Sequence, residues 1–372
     1  MVDVGFVMRG KLRVSQKLVM ILSVMLCMMI GWSHEASAAK AESPTGFNYK
    51  INYPDNQTDK SLGYFKLNME PGQEQKLSIT FNNPSKEKIS VSVKINSAKT
   101  NQNGVIEYGV STLEKDASLK YDLKDLLKGP EKVELAADAT KTVEYTVKMP
   151  DESFDGVISG GMEIQKENQI GTESNEGGTK IVNKYAYVVG VVLQENDKDV
   201  PPELKLNKVG ADQSNYRNAI FVNFSNIMPS YVNDMTTEVK IMKKGSETVL
   251  YEKKQTAMRM APNSFINYPV SMNGEPMSPG NYEADILVTS GERNQTWHWK
   301  KEFEITSEEA DKFNNRDVGL VQEKGFNWKL VAIIVLGLLL LIIIIVLLIR
   351  RKNNKDKKSK SKKGKNKRRS KK

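Results

Sequence analysis

From Phe47 to Ile305, apolar residues recur at every second position rather than every third or fourth. Leu77, Ile79 and Phe81 in QKLSITFNN alternate with polar neighbours, as do Ile89, Val91, Val93 and Ile95 in KISVSVKIN and Val143, Tyr145 and Val147 in TVEYTVKMP. A period of two sends successive side chains to opposite faces of an extended chain, so each run predicts a strand with one face in a core and one in water. Turn-forming clusters punctuate the runs: EPGQ at 70–73, NNPS at 82–85, NQNG at 101–104 and MPDESFDG at 149–156. Helix signals are sparse, with SLKYDLKDLLKG (118–129) the main one. Short, evenly spaced strands with Gly- and Pro-rich turns predict an all-β fold of two tandem immunoglobulin-like β-sandwiches, here followed by a single transmembrane α-helix.

The pattern also sets expected boundaries. ENDKDVPPE (195–203) ends in two prolines that stop a strand and stiffen a junction, so the first sandwich is placed at 44–198 and the second at 199–307. The polar stretch KENQIGTESNEGGTK (166–180) reads as a long hairpin loop before the strand IVNKYAYVVGVVLQ, and a family boundary inside that loop is the alternative. Tyr282 follows a Pro-Gly turn at the start of a late strand, the placement of a tyrosine corner. Residues 308–328 carry no strand pattern and read as a membrane-proximal stalk, with a short helix capped by Ser307.

Two apolar segments lie outside the alternation. Met1–Lys17 is basic, Leu18–Ile30 is apolar but short for a bilayer, and Ala36-Ser37-Ala38 supplies small residues for cleavage; 1–38 is read as a secretory signal peptide, with an uncleaved anchor as the alternative. Residues 330–349 run uncharged for about 30 Å as a helix, one hydrocarbon thickness, so 329–349 is expected to cross a membrane. Trp328 and Lys329 at one edge suit the headgroup layer, and Arg350 and Arg351 open a polybasic tail, 350–372, at the other. Lys and Arg mark the cytoplasmic side, which places the body outside the cell.

Charge separates the same regions. The formal charge of +10 would suggest a polyanion partner, but the tail alone carries about +14 and residues 40–328 are left at about −7. The tail's expected partners are membrane lipids, not nucleic acid, because it follows a membrane helix directly. The only cysteine, Cys27, lies in the signal segment, so the body has neither disulfide nor thiolate metal site.

Candidate chemistry is thin. His298, between Trp297 and Trp299, is the one histidine left after signal removal, and on a strand it faces away from both. Asp151, Glu152 and Asp155 crowd one loop, where an ordinary acidic turn is the preferred reading and a weak cation site the alternative. No cofactor, metal site or catalytic residue is expected, and the chain reads as a binding protein rather than an enzyme. Tyr49, Tyr53 and Tyr64 with Asn56 and Gln57 combine aromatic faces and amides as sugars require, and are the candidate glycan-binding set. Met260 and Phe265 in MAPNSFINYP, with the same-face pair Trp297 and Trp299, are the candidate partner-binding set. Core packing accounts for either set equally well.

The stretches FNYKINYPDNQ, YFKLNMEPGQEQKL, TNQNGVIEY, FDGVISGGM, IVNKYAYVVGVVLQE, PELKL, MAPNSF and PGNYEADILV, in this order, resemble WxL-interacting proteins of Gram-positive cell surfaces. The resemblance implies a first domain that binds peptidoglycan, a second that binds host or partner proteins, and association with WxL-domain proteins at the wall. An outward-facing adhesin for host proteins, a wall-spacing scaffold and a wall-acting enzyme are the rival readings.

Overall fold

The computed structural model describes residues 45–169, 172–176, 179–320 and 331–350. The expected signal peptide, the anchor residues Trp328, Lys329 and Arg351, and the tail from 351 lie outside the described residues.

The first sandwich stacks two sheets. One orders β1 (Asn48–Asn52), β3 (Glu74–Asn82), β9 (Thr140–Lys148) and β7 (Leu127–Lys128); the other orders β2 (Phe65–Asn68), β13 (Ala186–Gln194), β10 (Ile158–Lys166), β4 (Ile89–Ser97) and β8 (Lys132–Leu135). Leu77, Ile79, Phe81, Val91 and Val147 are fully buried between them, so the alternating positions form the core. The pairing is antiparallel except that β2 joins β13 in parallel. A short hairpin, β5 (Lys99–Thr100) and β6 (Ile106–Glu107), and a one-turn helix, α1 (Leu123–Leu126), complete the domain. The polar loop after β10 forms a ribbon of β11 (Thr172–Glu176) and β12 (Thr179–Asn183) before the chain returns as β13 beside β10.

The second sandwich has longer strands. Its sheets order β14 (Leu204–Ser214), β15 (Arg217–Asn226) and β18 (Ser264–Ser271), and β17 (Val249–Met260), β16 (Val232–Lys243), β19 (Gly280–Ser290) and β20 (Gln295–Ile305). Val222, Phe224, Val239, Ile241, Ile266, Tyr268, Ile286 and Val288 fill the space between them. The Tyr282 phenol donates to the Ser278 carbonyl at 2.8 Å, pinning the turn before β19 to the strand.

The segment expected as a stalk departs from expectation. Residues Ser307–Asn314 form a helix, α2, whose Ala310 and Phe313 are buried in the second core. Two apolar residues three apart make one helical face, too short to register as a period. Its cap is Thr306 rather than Ser307: the Thr306 hydroxyl accepts from Glu309 N while the Glu309 carboxylate accepts from Thr306 N. A last helix, α3 (Val331–Arg350), is long and apolar enough to cross a membrane.

Candidate functional site: the cleft between the sandwiches

The two sandwiches are joined by a set of specific polar contacts. The turn of the β5–β6 hairpin is tied by Asn101, whose side-chain oxygen accepts from Asn103 N and Val105 N at 3.0 and 3.1 Å. This turn lies along β17: Gly104 O accepts from Arg259 N at 2.7 Å and Asn103 O accepts from Gln255 Nε2 at 2.7 Å. Only glycine serves at 104, where φ is +66° and a Cβ would stand 2.6 Å from that of Met258. At its base the Thr100 hydroxyl accepts from Ala261 N at 3.0 Å and meets the Ser264 hydroxyl at 2.7 Å. Nearby, Val157 N donates to Pro229 O at 2.8 Å, Ser159 and Tyr231 join hydroxyls at 2.5 Å, and Asn263 Nδ2 donates to Ser118 O at 3.0 Å. The linker is held by the Arg293 guanidinium on both oxygens of Asp199.

These contacts set residues of the second domain over the outer face of β10 and β13. Gly161 and Gly190 are direct partners across those strands. Each leaves a gap that an aromatic fills: a Cβ on Gly161 would lie 2.8 Å from Tyr108 O, and one on Gly190 would lie 3.3 Å from the Tyr64 Cβ. Glu163, on the same face, accepts from Val110 N at 2.8 Å and so holds the Tyr108 loop on the sheet. The resulting cleft encloses about 560 Å3. Val157, Val188, Gly190 and Val192 form an apolar floor, Tyr64, Tyr108 and Tyr231 form the walls, and Lys66, Gln194 and Arg259 supply polar heads. The Arg259 guanidinium lies 5.9 Å from the Tyr231 ring centroid. Burial, aided by the nearby Tyr108, pushes the Tyr231 phenol above its ordinary range, so it remains a neutral hydrogen-bonding group.

Of the expected glycan set, Tyr64 alone lines this cleft. Tyr49 packs 4.8 Å from the Tyr187 ring, and the Tyr53 phenol donates to Leu62 O. The Asn56 and Gln75 amides pair at 2.9 and 2.8 Å. Gln57 is buried, donates to Asp59 O and Tyr64 O, and accepts from Lys66 N. Those amides shape the 56–68 segment. The partner set is likewise drawn inward: Met260 is fully buried, Trp297 is in the core, Trp299 packs 6.0 Å from Phe224, and Phe265 is half-buried beside the first domain. Met260 is covered, and its neighbours Ala261 and Asn263 in the MAPNSF turn are engaged by Thr100 and Ser118. Arg350, the described residue of the anchor set, ends α3. His298 points outward and bonds Asp285 at 2.7 Å.

Tyr108, Tyr231 and Arg259 have no local pattern that marks them. The glycines within the strands SGGM and VVGVV are the signal that was present, since a strand glycine marks a close approach by another group.

Two family models match the chain. Residues 47–166 match the WxL Interacting Protein peptidoglycan binding domain, and residues 176–315 match the WxL Interacting Protein host binding domain. The chain belongs to the WxL-interacting proteins. Both models describe binding rather than catalysis, which makes this WxL-interacting protein a cell-surface binding protein. The second match begins ahead of β13, so the cleft floor joins Val157 of one module to β13 of the other. Among solved structures, the Escherichia coli chaperone DraB is 11% identical over 70% of this chain and 98% of that chain, with a TM-score of 0.25. The Pseudomonas aeruginosa CupB2 chaperone is 10% identical over 62% and 95%, with a TM-score of 0.24. Likeness at this level carries no argument; the fold stands on the strand pairing. No curated protein matches the chain.

Proposed function

We propose that this WxL-interacting protein is a membrane-anchored adaptor that holds peptidoglycan and a WxL-domain protein together at the Gram-positive wall. In this reading residues 44–198 serve peptidoglycan, residues 199–307 serve the protein partner, and α3 with the basic tail fixes the body on the outer side of the membrane. The observation that carries it is the cleft: tyrosine rings over an apolar floor suit the apolar face of a sugar ring, and Lys66 and Arg259 suit its amide and carboxylate substituents. A body charge of about −7 gives no general grip on anionic wall polymers, so recognition rests on such local contacts.

The test is co-sedimentation of the purified body, residues 40–328, with insoluble peptidoglycan, and capture of WxL protein from a wall extract. Tyr64→Ala should weaken retention about tenfold, the equivalent of ~1.4 kcal/mol. A body retained no better than an unrelated sandwich domain would remove the peptidoglycan half, and failure to capture any WxL protein would remove the other. The host binding description favours one second reading, an outward-facing adhesin, which antibody access to the Tyr64 cleft on intact cells would support.

A further inference from the structure

The end of the second sandwich that faces away from the first carries exposed apolar groups with no partner in the fold. Tyr216 is 73% exposed and Val318 69%, the two highest values for large apolar residues among the described residues outside α3. Val249 and Leu250, at 39% and 38%, follow the β16–β17 turn at the same end. The β14–β15 hairpin turns on Asn215 and Tyr216, with φ of +51° and +59°. Two positive φ values in a two-residue hairpin loop suit Asn followed by Gly. A tyrosine in the second place costs about 1 kcal/mol or more, and its exposed ring recovers none of this from packing.

This end is also where the chain leaves the body. Asp317 is buried and accepts from Asn218 N at 2.7 Å, Val318 N donates to Tyr216 O at 3.1 Å, and Gln213 Nε2 donates to Phe313 O at 2.9 Å. The Tyr216 turn and Val318 are therefore one fixed unit. Twelve residues, 319–330, separate Val318 from α3. Fully extended, they cover at most about 43 Å.

We propose that the Tyr216–Val318 end is a foot that rests in the headgroup layer of the membrane crossed by α3, so that the body stands on the bilayer instead of swinging from a tether. Phenol rings favour that layer because one edge is apolar and the hydroxyl is wet. The charges at this end are mainly acidic, with Asp212, Glu247, Glu275, Glu308, Glu309 and Asp311 outnumbering Arg217, Lys243, Lys244, Lys312 and Arg316, so the contact rests on the apolar groups and is weaker on anionic lipid. The inference rests on α3 being an anchor.

The signal segment holds the only cysteine, so the mature chain accepts a single thiol probe. The full mature chain is reconstituted in phosphatidylcholine vesicles, with and without about 30% phosphatidylglycerol. A fluorophore is attached in Val318→Cys, or in Glu292→Cys at the opposite end. Headgroup-level spin-labelled lipid should quench the probe at 318 about twofold or more over that at 292 in phosphatidylcholine, with a smaller excess in the anionic mixture. Adding Tyr216→Ser to the Val318→Cys chain should reduce that quenching while leaving the melting temperature the same or higher. Equal quenching at 318 and 292 in chains that remain carbonate-resistant would overturn the foot alone, whereas chains extracted by carbonate would overturn the anchor. Shielding of the 318 probe only when a wall protein is added would assign this end to a protein partner and also overturn the proposal.

Discussion

The two ends of the second sandwich are built from the same elements, hairpin turns between long strands, but they differ in how their groups are met. Toward the first sandwich, Arg259 N, Ala261 N, Pro229 O and the Ser264 hydroxyl each find a partner on the other domain. Toward α3, the backbone is tied by Asp317 and Asn218 while Tyr216 and Val318 are left in solvent. One end is a finished polar interface and the other offers apolar surface. Directional contacts hold a fixed neighbour in register, whereas exposed apolar groups suit a surface that has no register to match.

The strongest way to break the comparison is at the finished end. Gly156 has φ +88°, and a Cβ there would stand 2.3 Å from the Pro229 carbonyl oxygen. Gly156→Val should weaken the interface by about 3 kcal/mol. Small-angle scattering should then show a longer body, and proteases should cut within 195–203, with the Val318 probe unchanged. Unchanged scattering and proteolysis would mean that the contact at Pro229 does not hold the domains.

A somewhat smaller effect is expected at Asp122, which braces the loop beside this interface. Burial alone would raise its carboxyl pKa, but Lys115, the Ser97 hydroxyl and Lys124 N together hold it below the ordinary value. It also caps α1. Asp122→Ala should cost about 2–3 kcal/mol in denaturant unfolding at neutral pH. Because the folded pKa is lowered, this stabilisation is complete above the unfolded carboxyl value and is lost as pH falls through the folded one. The gap between wild type and variant should therefore narrow as pH falls below about 4; a gap that is constant with pH would assign the loss to packing.

The smallest effect has the opposite sign. Tyr216→Gly at the open end should raise stability by about 0.5–1 kcal/mol, read as a rise of a few degrees in melting temperature, because glycine suits the positive φ. A loss of stability would show that the Tyr216 ring makes contacts within the fold and would erase the contrast between the ends.

Both cores were legible because alternation is local: Leu77, Ile79 and Phe81 announce their common face within five residues. The capping-box spacing favours Thr306 over the expected Ser307, since Thr306 has a Glu three residues on and Ser307 has an Ala. The cleft was not legible, because Tyr64, Tyr108 and Tyr231 meet only after strands distant in sequence have paired. Apolar residues at a turn look the same whether they face solvent or a neighbouring domain. For MAPNSF the decision lay with Thr100 and Ser118, in another domain.

The clasp made by Asp317, Val318 and the Tyr216 turn also has a mechanical consequence. If α3 and the wall hold opposite ends of this protein, turgor and growth load the chain at residue 318 first. Tension would peel Val318 from the hairpin, then lift α2 from the sandwich, before any strand of the second core bears force. Releasing 307–318 would add at most about 43 Å of slack, while β14 to β20 stay paired. Under that load the short capped helix would act as an extensible link in series with a stiff body.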